Sequence, residues 1–379
     1  MKQHRDEVPC SNGSLLDALL GPAESRDRLA DQVLVPREPS RVMKIALLTK
    51  NLNPSGGNRV IMRLFDQMAE SGQAELHVFV VPEPRAPIQA LRHLAACKRR
   101  YGAAASVKLA TRPLRPGEFD VLISTSRRTL DFVGDLGHPA HVHLLQAIEA
   151  WDTVNSAPFL EHCADRGYPG PDACVDLVRK IGLPHDLHYL ERVAAAGRIL
   201  TVSEYLASAV AYMGGTPDVR VSVPDWHIKR SGPAPGRSID ALFFVRGFVY
   251  NGDALAVAVA DAMPQETRVT FVASPRAKRE MKSLHGRAGL SVVQDPSDAA
   301  LAGLLAAARV VVHPSLCNGG GSIPIEALAL GCSVVASRTG WLWPAESRGP
   351  LQVVDEHDPE KYLSKAMRLP DERDDLPSA

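Results

Sequence analysis

The stretch HPSLCNGGGSIPIEALALGCSVVAS, residues 313–337, has the most distinctive pattern in the chain. It follows an apolar run, and its middle holds three consecutive glycines, Gly319 to Gly321. An apolar segment containing one acid comes next and ends at Gly331. This order predicts a buried strand, a loop with almost no side-chain bulk, and a helix that has Ser322 as its N-cap and Gly331 just after its last turn.

The acid, Glu326, is one turn inside this otherwise apolar helix. A desolvated carboxylate is costly there without a partner. The free N–H groups at the start of a helix can stabilise it, and so can the hydroxyls of a ligand. A ribose diol is a suitable ligand because one carboxylate accepts hydrogen bonds from both hydroxyls. The residues alone leave two interpretations open, a ribose contact and an acid that only caps the helix.

Strand and helix patterns alternate from residue 44 onward. Strand patterns occur at KIALLT, ELHVFVV, FDVLIST, HVHLLQ and ILTVS, and again at ALFFV, RVTFVA, LSVVQ, RVVVHP, SVVAS and LQVVD. The intervening patterns predict helices, among them 275–285 and Arg59 to Ala69, the latter with an apolar side formed by Val60, Ile61, Leu64, Phe65 and Met68. Alternation of this kind predicts parallel sheets covered on both faces. We predict an α/β protein with two Rossmann-like, doubly wound domains, at 43–228 and 239–368, joined by the Pro/Gly-rich linker 229–238. Residues 1–42 are expected to be an N-terminal extension without fixed structure, and 369–379 a loose acidic tail.

The bulk composition argues against several classes of protein. Lys plus Arg and Asp plus Glu both number 43, so the chain has no overall charge signature of a nucleic-acid binder. The six cysteines form no C-x-x-C pair, which argues against a zinc ribbon and a disulfide framework and favours reduced cytosolic thiols. The chain has no apolar run of about 18 residues that could span a membrane. We therefore expect a cytoplasmic protein.

A second glycine turn, NPSGGNR at 53–59, lies between the first strand and the first helix. Gly56 and Gly57 let the backbone approach a ligand, and the helix N-terminus suits a phosphate. The alternative is a tight turn without a ligand, because the segment matches neither G-x-G-x-x-G nor a Walker loop. Doubly wound sheets bind ligands at the carboxyl ends of their strands, so we expect both glycine turns at a cleft between the domains.

Both halves together resemble the GT-B glycosyltransferases, and within them the large retaining family numbered four. The resemblance covers residues 43 to 368 and is most specific at Pro314-Ser315, Asn318 to Gly321 and Glu326-Ala327. These residues are similar to the family motif P-S-x-x-E-G-x-G-x-x-x-x-E-A. The following ALGCSVVAS also looks like a family strand.

The resemblance implies an enzyme that transfers a sugar, with retention, from a nucleoside diphosphate to a hydroxyl acceptor on a glycan, a lipid-linked carrier or a small natural product. It implies that Glu326 binds the donor ribose. It further implies that the donor diphosphate or sugar is bound by Gly56, Gly57, Asn318, Gly319, Gly320, Gly321 and Ser322.

HLLQAIEAW, residues 143–151, is similar to a Q-x-x-E-x-W segment of some polysaccharide-type members. This likeness implies that Gln146 and Trp151 line the acceptor side, and it makes Glu149 a catalytic candidate. The family's N-terminal histidine has no single match; the candidates are His138, His141 and His143, of which His143 is the one we select.

The chain departs from the family pattern near the donor phosphates. Asn318 replaces the first acid of the motif, and Asn251 stands at or near an expected lysine, whereas Arg246 in FFVRGFVYNG matches the expected arginine. Substitute cations could come from Arg276, Lys278 or Lys229. We expect Arg246 and the helix ends to stabilise the leaving diphosphate, with no cofactor and no divalent metal.

These departures leave two further functions open. One is a GT-B protein that binds ligands or serves as a partner subunit without turnover. The other is a different sugar-phosphate enzyme of the same fold, such as an epimerase or a phosphorylase.

Two other features each have two interpretations. The histidines of HPAHVH, residues 138–143, are a metal site or ordinary polar positions, and we favour the latter because no carboxylate stands at ligand spacing. The basic helix at 88–101 has a solvated face by default, with peripheral contact to the inner face of the membrane as the alternative.

Overall fold

The computed structural model describes residues 42–50, 56–72, 74–82, 87–152, 156–220, 236–278, 280–284, 286–343 and 345–369. Nearly all of the predicted extension and acidic tail, and most of the predicted linker, lie outside these ranges. The described chain forms two compact units. The N-terminal unit comprises residues 42–152 and 170–220, and the C-terminal unit comprises residues 156–169 and 236–369.

The N-terminal unit contains a parallel sheet. Its strands are β1 (Met43–Thr49), β2 (Ala74–Val80), β3 (Ala105–Leu109), β4 (Val121–Ser124), β5 (His141–Leu145), β6 (Arg198–Thr201) and β7 (Pro217–Arg220). They lie in the order β3-β2-β1-β4-β5-β6-β7. All five residues of β5 are buried, as expected for a strand covered on both faces.

The C-terminal unit contains a second parallel sheet. Its strands are β8 (Ile239–Val245), β9 (Val269–Ala273), β10 (Leu290–Gln294), β11 (Ala308–His313), β12 (Ser333–Ser337) and β13 (Leu351–Val354). They lie in the order β10-β9-β8-β11-β12-β13. The rings of Phe243 and Phe271 stack 5.0 Å apart in its core, together with the buried side chain of Tyr362.

Helices connect the strands of both sheets. Numbered along the whole chain, they are α1 (Gly56–Ser71), α2 (Pro87–Tyr101), α3 (Arg127–Leu130), α4 (Ser156–Arg166), α5 (Pro171–Ile181), α6 (Pro184–Ala194), α7 (Glu204–Tyr212), α8 (Asp253–Ala262), α9 (Asp298–Ala307), α10 (Ser322–Ala329) and α11 (Pro359–Arg368). In α1, the predicted apolar side, Val60, Ile61, Leu64, Phe65 and Met68, is buried. None of the helices in the described ranges is both long and apolar enough to cross a bilayer.

Two local predictions are wrong. The expected helix at 275–285 is a pair of short 3-10 turns, Pro275–Lys278 and Glu280–Leu284. Ser322 is the first residue of α10 rather than its N-cap, because Gly321 takes the cap position with a φ of 77°. A left-handed residue costs glycine little, so the backbone turns into the helix one residue early.

The segment Ser156–Pro169, which contains α4, packs with the C-terminal unit although it precedes α5 in the chain. The backbone N–H of Tyr168 donates to the carbonyl of Asp355, at 3.1 Å. The hydroxyls of Tyr168 and Tyr362 are 2.6 Å apart. No pattern in the sequence signals this assignment, and the predicted N-terminal domain, 43–228, includes these residues.

Candidate functional site

The carboxyl edge of the C-terminal sheet brings four loops side by side. They follow the neighbouring strands β9, β8, β11 and β12 and begin at Ser274, Arg246, Pro314 and Arg338. The chain proceeds from β8 outward to β9 and β10, then returns to place β11 on the other side of β8. Open α/β sheets bind ligands at such a switch point. The loops after β8 and β11 are therefore the first candidates for a binding site.

The loop after β11 is anchored to the loop after β8. The hydroxyl of Ser315 donates to the carbonyl of Tyr250 at 3.2 Å, and the backbone N–H of Leu316 donates to the same oxygen at 2.8 Å. The hydroxyl of Ser337 donates to the carbonyl of Ser315. Gly252 has a φ of 72° and lies against the carbonyl of Pro314, with no room for a Cβ. These contacts explain why the sequence has a serine at 315 and a glycine at 252.

The three-glycine loop is shaped by one amide and one indole. The Oδ1 of Asn318 accepts a hydrogen bond from the N–H of Gly320, at 3.2 Å. The N–H of Trp341 donates to the carbonyl of Gly320 at 3.1 Å, and a Cβ on Gly320 would lie 3.3 Å from the Trp341 ring. Asn318 therefore accepts from the N–H of Gly320, a residue that the resemblance assigned to the donor. Helix α10 begins directly after this loop.

Glu326 is the fifth residue of α10, and its side chain is only 2% exposed. Its place in the first turns of the helix is the one that the sequence predicts. Burial excludes a solvated surface acid. Whether the carboxylate binds ribose stays a prediction.

Asp253 fixes the loop that carries Arg246. It is the first residue of α8 and is 3% exposed. Its Oδ2 accepts hydrogen bonds from the N–H groups of Arg246 at 2.9 Å, Gly247 at 2.5 Å and Phe248 at 3.3 Å. The loop thus has a defined backbone at the switch point, with Arg246 at its start.

His313, the last residue of β11, is a neighbour of Arg246. Burial lowers the pKa of His313 to about 4, and the nearby positive charge of Arg246 contributes to this lowering. The imidazole is therefore neutral at neutral pH. The positive charge at this point of the edge is carried by Arg246.

The predicted histidines of the N-terminal unit form a buried hydrogen-bonded chain. The Oγ of Ser124 lies 2.8 Å from both the Nε2 of His141 and the Nδ1 of His143. The Nδ1 of His141 lies 2.9 Å from the carbonyl of Leu136, which can only accept. The Nδ1–H of His141 therefore donates to that carbonyl, the hydroxyl of Ser124 donates to His141, and the Nδ1–H of His143 donates to Ser124.

This arrangement leaves the Nε2 of His143 as an acceptor, and it makes no hydrogen bond within the described part of the chain. Burial lowers the pKa of His143 to about 3, with a further contribution from His141. All three side chains are fully buried. Such burial is typical of structural histidines, so the catalytic role predicted for His143 gains no support. Among the described residues, no group of three or more His, Cys, Asp or Glu side chains could hold a metal.

Glu149 caps a helix of the N-terminal unit. Its Oε1 accepts a hydrogen bond from the N–H of Arg127, the first residue of α3, at 3.0 Å. The side chain of Arg127 pairs with the buried Asp186 at 3.0 Å. These contacts give Glu149 a structural task, and its catalytic role stays a prediction.

The other predicted residues of this unit are placed only in part. The Nε2 of Gln146, just after β5, is buried and makes no hydrogen bond to the described residues. Trp151 is in the 3-10 turn Glu149–Asp152, and its side chain lies outside the described residues. Gly56 and Gly57 are the first two residues of α1, and the turn before them, 51–55, lies outside the described residues.

Comparison with known proteins identifies the fold. Residues 241–371 match the family model described as Glycosyl transferases group 1. A sucrose-phosphate synthase from Thermosynechococcus elongatus is similar in structure, with a TM-score of 0.57, 14% identity, and 86% of this chain and 89% of that chain covered. The chain has the GT-B fold.

Two other GT-B structures show the same likeness. WaaG, a glycosyltransferase involved in lipopolysaccharide biosynthesis, aligns with a TM-score of 0.51 and 14% identity over 85% of this chain and 90% of that chain. The catalytic domain of starch synthase IV from Arabidopsis thaliana, bound to ADP and acarbose, aligns with a TM-score of 0.52 and 11% identity over 86% and 91%. At these identities the likeness shows the fold alone. No curated protein matched in sequence.

The GT-B fold places two residues at the candidate site that the sequence patterns did not single out. Asp253 holds the Arg246 loop. The sequence feature that could have indicated this role is an acid at the first position of a helix, directly after a glycine. Trp341, in the loop after β12, packs on the glycine loop. No local pattern connects Trp341 with residues that lie about twenty positions earlier.

Proposed function

We propose that the protein is a glycosyltransferase that moves a sugar from a nucleoside-diphosphate donor to a hydroxyl acceptor. The observation that carries the proposal is the family match over 241–371. This region contains the glycine loop and Arg246, which follow the neighbouring strands β11 and β8 at the switch point of the sheet. Both features suit an anionic ligand.

The C-terminal unit supplies the donor contacts in this proposal. The N–H groups at the start of α10, at Gly321 and Ser322, offer hydrogen bonds and the positive end of a helix dipole. Arg246 adds a permanent positive charge. Together they stabilise the diphosphate as it leaves, which is the main charge that develops in the reaction. This design uses no divalent metal.

Glu326 binds the two hydroxyls of the donor ribose in this proposal. A buried carboxylate in the first turns of α10 is stabilised by the helix N-terminus and accepts from both hydroxyls of a diol. Retention at the anomeric carbon rests on the resemblance to family four.

The N-terminal unit binds the acceptor in this proposal. The Nε2 of Gln146 is a buried donor without a hydrogen bond in the described part of the chain. It can therefore donate a hydrogen bond to a hydroxyl of the acceptor. Trp151 offers an aromatic ring close by in sequence. Glycans, lipid-linked carriers and small natural products all present the hydroxyl that this chemistry needs, and basic residues on α2 would suit an acceptor at an anionic membrane surface.

A second candidate is a GT-B protein that binds a nucleotide sugar without turning it over. Asn318 favours it, because the motif's acid is replaced by an amide that is already engaged by Gly320. Asn251 near the expected lysine position favours it as well.

Thermal-shift measurements with UDP, GDP, ADP, dTDP and CDP sugars test the proposal. A ligand that binds only the folded state raises its stability by mass action, so the correct donor gives the largest shift. Hydrolysis of that donor then separates the two candidates, since a transferase leaks sugar to water whereas a binding protein does not. The proposed function fails if no nucleotide sugar shifts the wild-type protein.

The variant Glu326→Ala tests the ribose contact. We expect it to lose the donor shift, while the control Glu360→Ala, at an exposed acid of α11, keeps it. Glu326→Gln retains the side-chain volume and separates loss of the contact from loss of the fold. A full shift in a folded Glu326 variant would contradict the ribose assignment.

A further inference from the structure

A nucleoside diphosphate presents at least two negative charges, but the loop after β8 supplies a single cation. Residues 246–252, RGFVYNG, contain only Arg246 as a charged group. His313 beside it is neutral at neutral pH, because burial lowers its pKa to about 4. Any further cation that this edge of the sheet offers to the diphosphate therefore lies on another loop.

The loop after β9 brings Arg276 directly onto the Arg246 loop. Gly247 has a φ of 77°, and a Cβ built there would lie 2.6 Å from the Cβ of Arg276. Ser274 joins the two segments, because its hydroxyl donates to the carbonyl of Arg246 at 2.7 Å and accepts from the N–H of Arg276 at 3.3 Å. The backbones of the two arginines are thus held together by one hydroxyl.

The side chain of Arg276 is held over an aromatic ring of the same loop. Its Cζ lies 5.3 Å from the centroid of the Phe248 ring, which in turn lies 5.4 Å from the ring of Tyr250. A guanidinium stacked in this way keeps its N–H groups in the plane, where they can bind an anion.

Neither arginine forms an ion pair with a residue that the structure describes. Over the described ranges, the carboxylates that form ion pairs do so with other cations, and neither Arg246 nor Arg276 takes part. Two guanidinium groups on adjoining loops at a switch point, neither paired with a described carboxylate, form a site of double positive charge. Such a site matches a diphosphate better than it matches a neutral ligand.

We propose that Arg276 is the second cation of the donor site and binds the diphosphate together with Arg246. This inference rests on the proposed function. Asn251 stands at or near the position where the family resemblance implies a lysine. Arg276, in the loop after β9, supplies that positive charge instead.

Isothermal titration of the full-length protein with UDP, GDP, ADP, CDP and dTDP tests the assignment, using the nucleotide that binds wild type most tightly. Loss of one charge-assisted contact weakens binding by about tenfold or more, so we expect at least that for Arg276→Gln. Arg276→Lys, which keeps the charge without the planar fork, should lie between wild type and Arg276→Gln. The salt dependence of binding should be less steep in Arg276→Gln, because one ionic contact is missing.

Two further variants sharpen the test. Phe248→Leu keeps both charges and removes the ring, and we expect a smaller loss of affinity because Arg276 is less well held. Lys361→Gln, at an exposed cation of α11, changes the net charge equally and should bind as wild type does. Melting temperatures of the unliganded variants show whether each one is folded.

The outcomes separate the two proposals. Wild-type affinity in Arg276→Gln together with a loss in Arg246→Gln overturns the role of Arg276 and leaves the proposed function standing. Absence of any nucleoside-diphosphate binding by wild type overturns both. A loss in Lys361→Gln equal to that in Arg276→Gln shows a general charge effect and overturns the assignment.

Discussion

At the scale of single residues, Asp253 decides the shape of the Arg246 loop. One buried carboxylate oxygen accepts three backbone hydrogen bonds. A hydrogen bond to a charged group contributes about 1.5–3 kcal/mol, so Asp253→Asn should lower the free energy of unfolding by about 2 kcal/mol. Urea denaturation measures this change in the free energy of unfolding, and Asp261→Asn, at the exposed end of α8, is the control. Equal stability of the two variants would show that the three N–H groups find other partners.

Gly252 makes a second prediction at this scale, because its conformation and its surroundings both require glycine. Its φ is 72°, and a Cβ would collide with the carbonyl of Pro314. Strain of this kind costs about 1–3 kcal/mol before the collision is counted, so Gly252→Ala should destabilise the protein by at least that much.

The control for Gly252 is Gly303 in α9, where a Cβ would meet no atom within 4 Å and φ is not positive. Gly303→Ala should stabilise the protein by about 0.5–1 kcal/mol, since alanine favours helices. Thermal denaturation of both variants compares the signs. A neutral Gly252→Ala would mean that the loops after β8 and β11 are not packed together.

At the scale of elements, the hydrogen-bonded chain between β4 and β5 makes stability depend on pH. Burial lowers the pKa of both His141 and His143, the latter to about 3, whereas an unfolded histidine has a pKa of about 6.5. Below pH 6.5 the unfolded state therefore binds more protons than the folded state. Stability is complete above pH 6.5 and falls as the pH drops, by up to about 1.4 kcal/mol per pH unit for His143 down to about pH 3. The lowered pKa of His141 adds to the loss in the same direction.

Urea denaturation at pH 7 and pH 5 measures this dependence. For His143 alone, we expect a loss of about 2 kcal/mol between the two values. The variant His143→Gln should show a smaller loss, whereas His188→Gln, at an exposed histidine of α6, should behave as wild type does. An unchanged loss in His143→Gln would mean that other groups cause the dependence.

The elements also show how far local patterns lead. Long apolar runs predicted β1, β5, β8 and β11, since burial on both faces of a parallel sheet leaves a continuous apolar signature. The short, half-exposed β3 was not predicted, because its residues ASVKL have no such run. The 3-10 turns at 275–284 were mistaken for a helix, since the spacing of a few apolar residues does not distinguish the two over a short segment.

At the scale of the whole molecule, the sequence predicted two doubly wound units and the position of the glycine loop. The motif is local, so its residues are adjacent in the chain and can be recognised together. The contacts of Asp253, Trp341 and Arg276 join different loops or distant parts of one loop, and the strand order brings those segments together. The same reason explains why Ser156–Pro169 could not be assigned to the C-terminal unit from sequence.

Hydrogen exchange can test this assignment in the full chain. Tyr168 is tied to the C-terminal unit by its N–H bond to Asp355 and by its hydroxyl contact with the buried Tyr362. A ligand that binds one folded unit slows exchange at every amide that opens only when that unit unfolds. A nucleoside diphosphate at about 100 times its dissociation constant adds about 2.7 kcal/mol, so the amide of Tyr168 should slow about as much as those of β8 and β11. If Tyr168 instead follows the amides of α5, which comes next in the chain, the segment belongs energetically to the N-terminal unit.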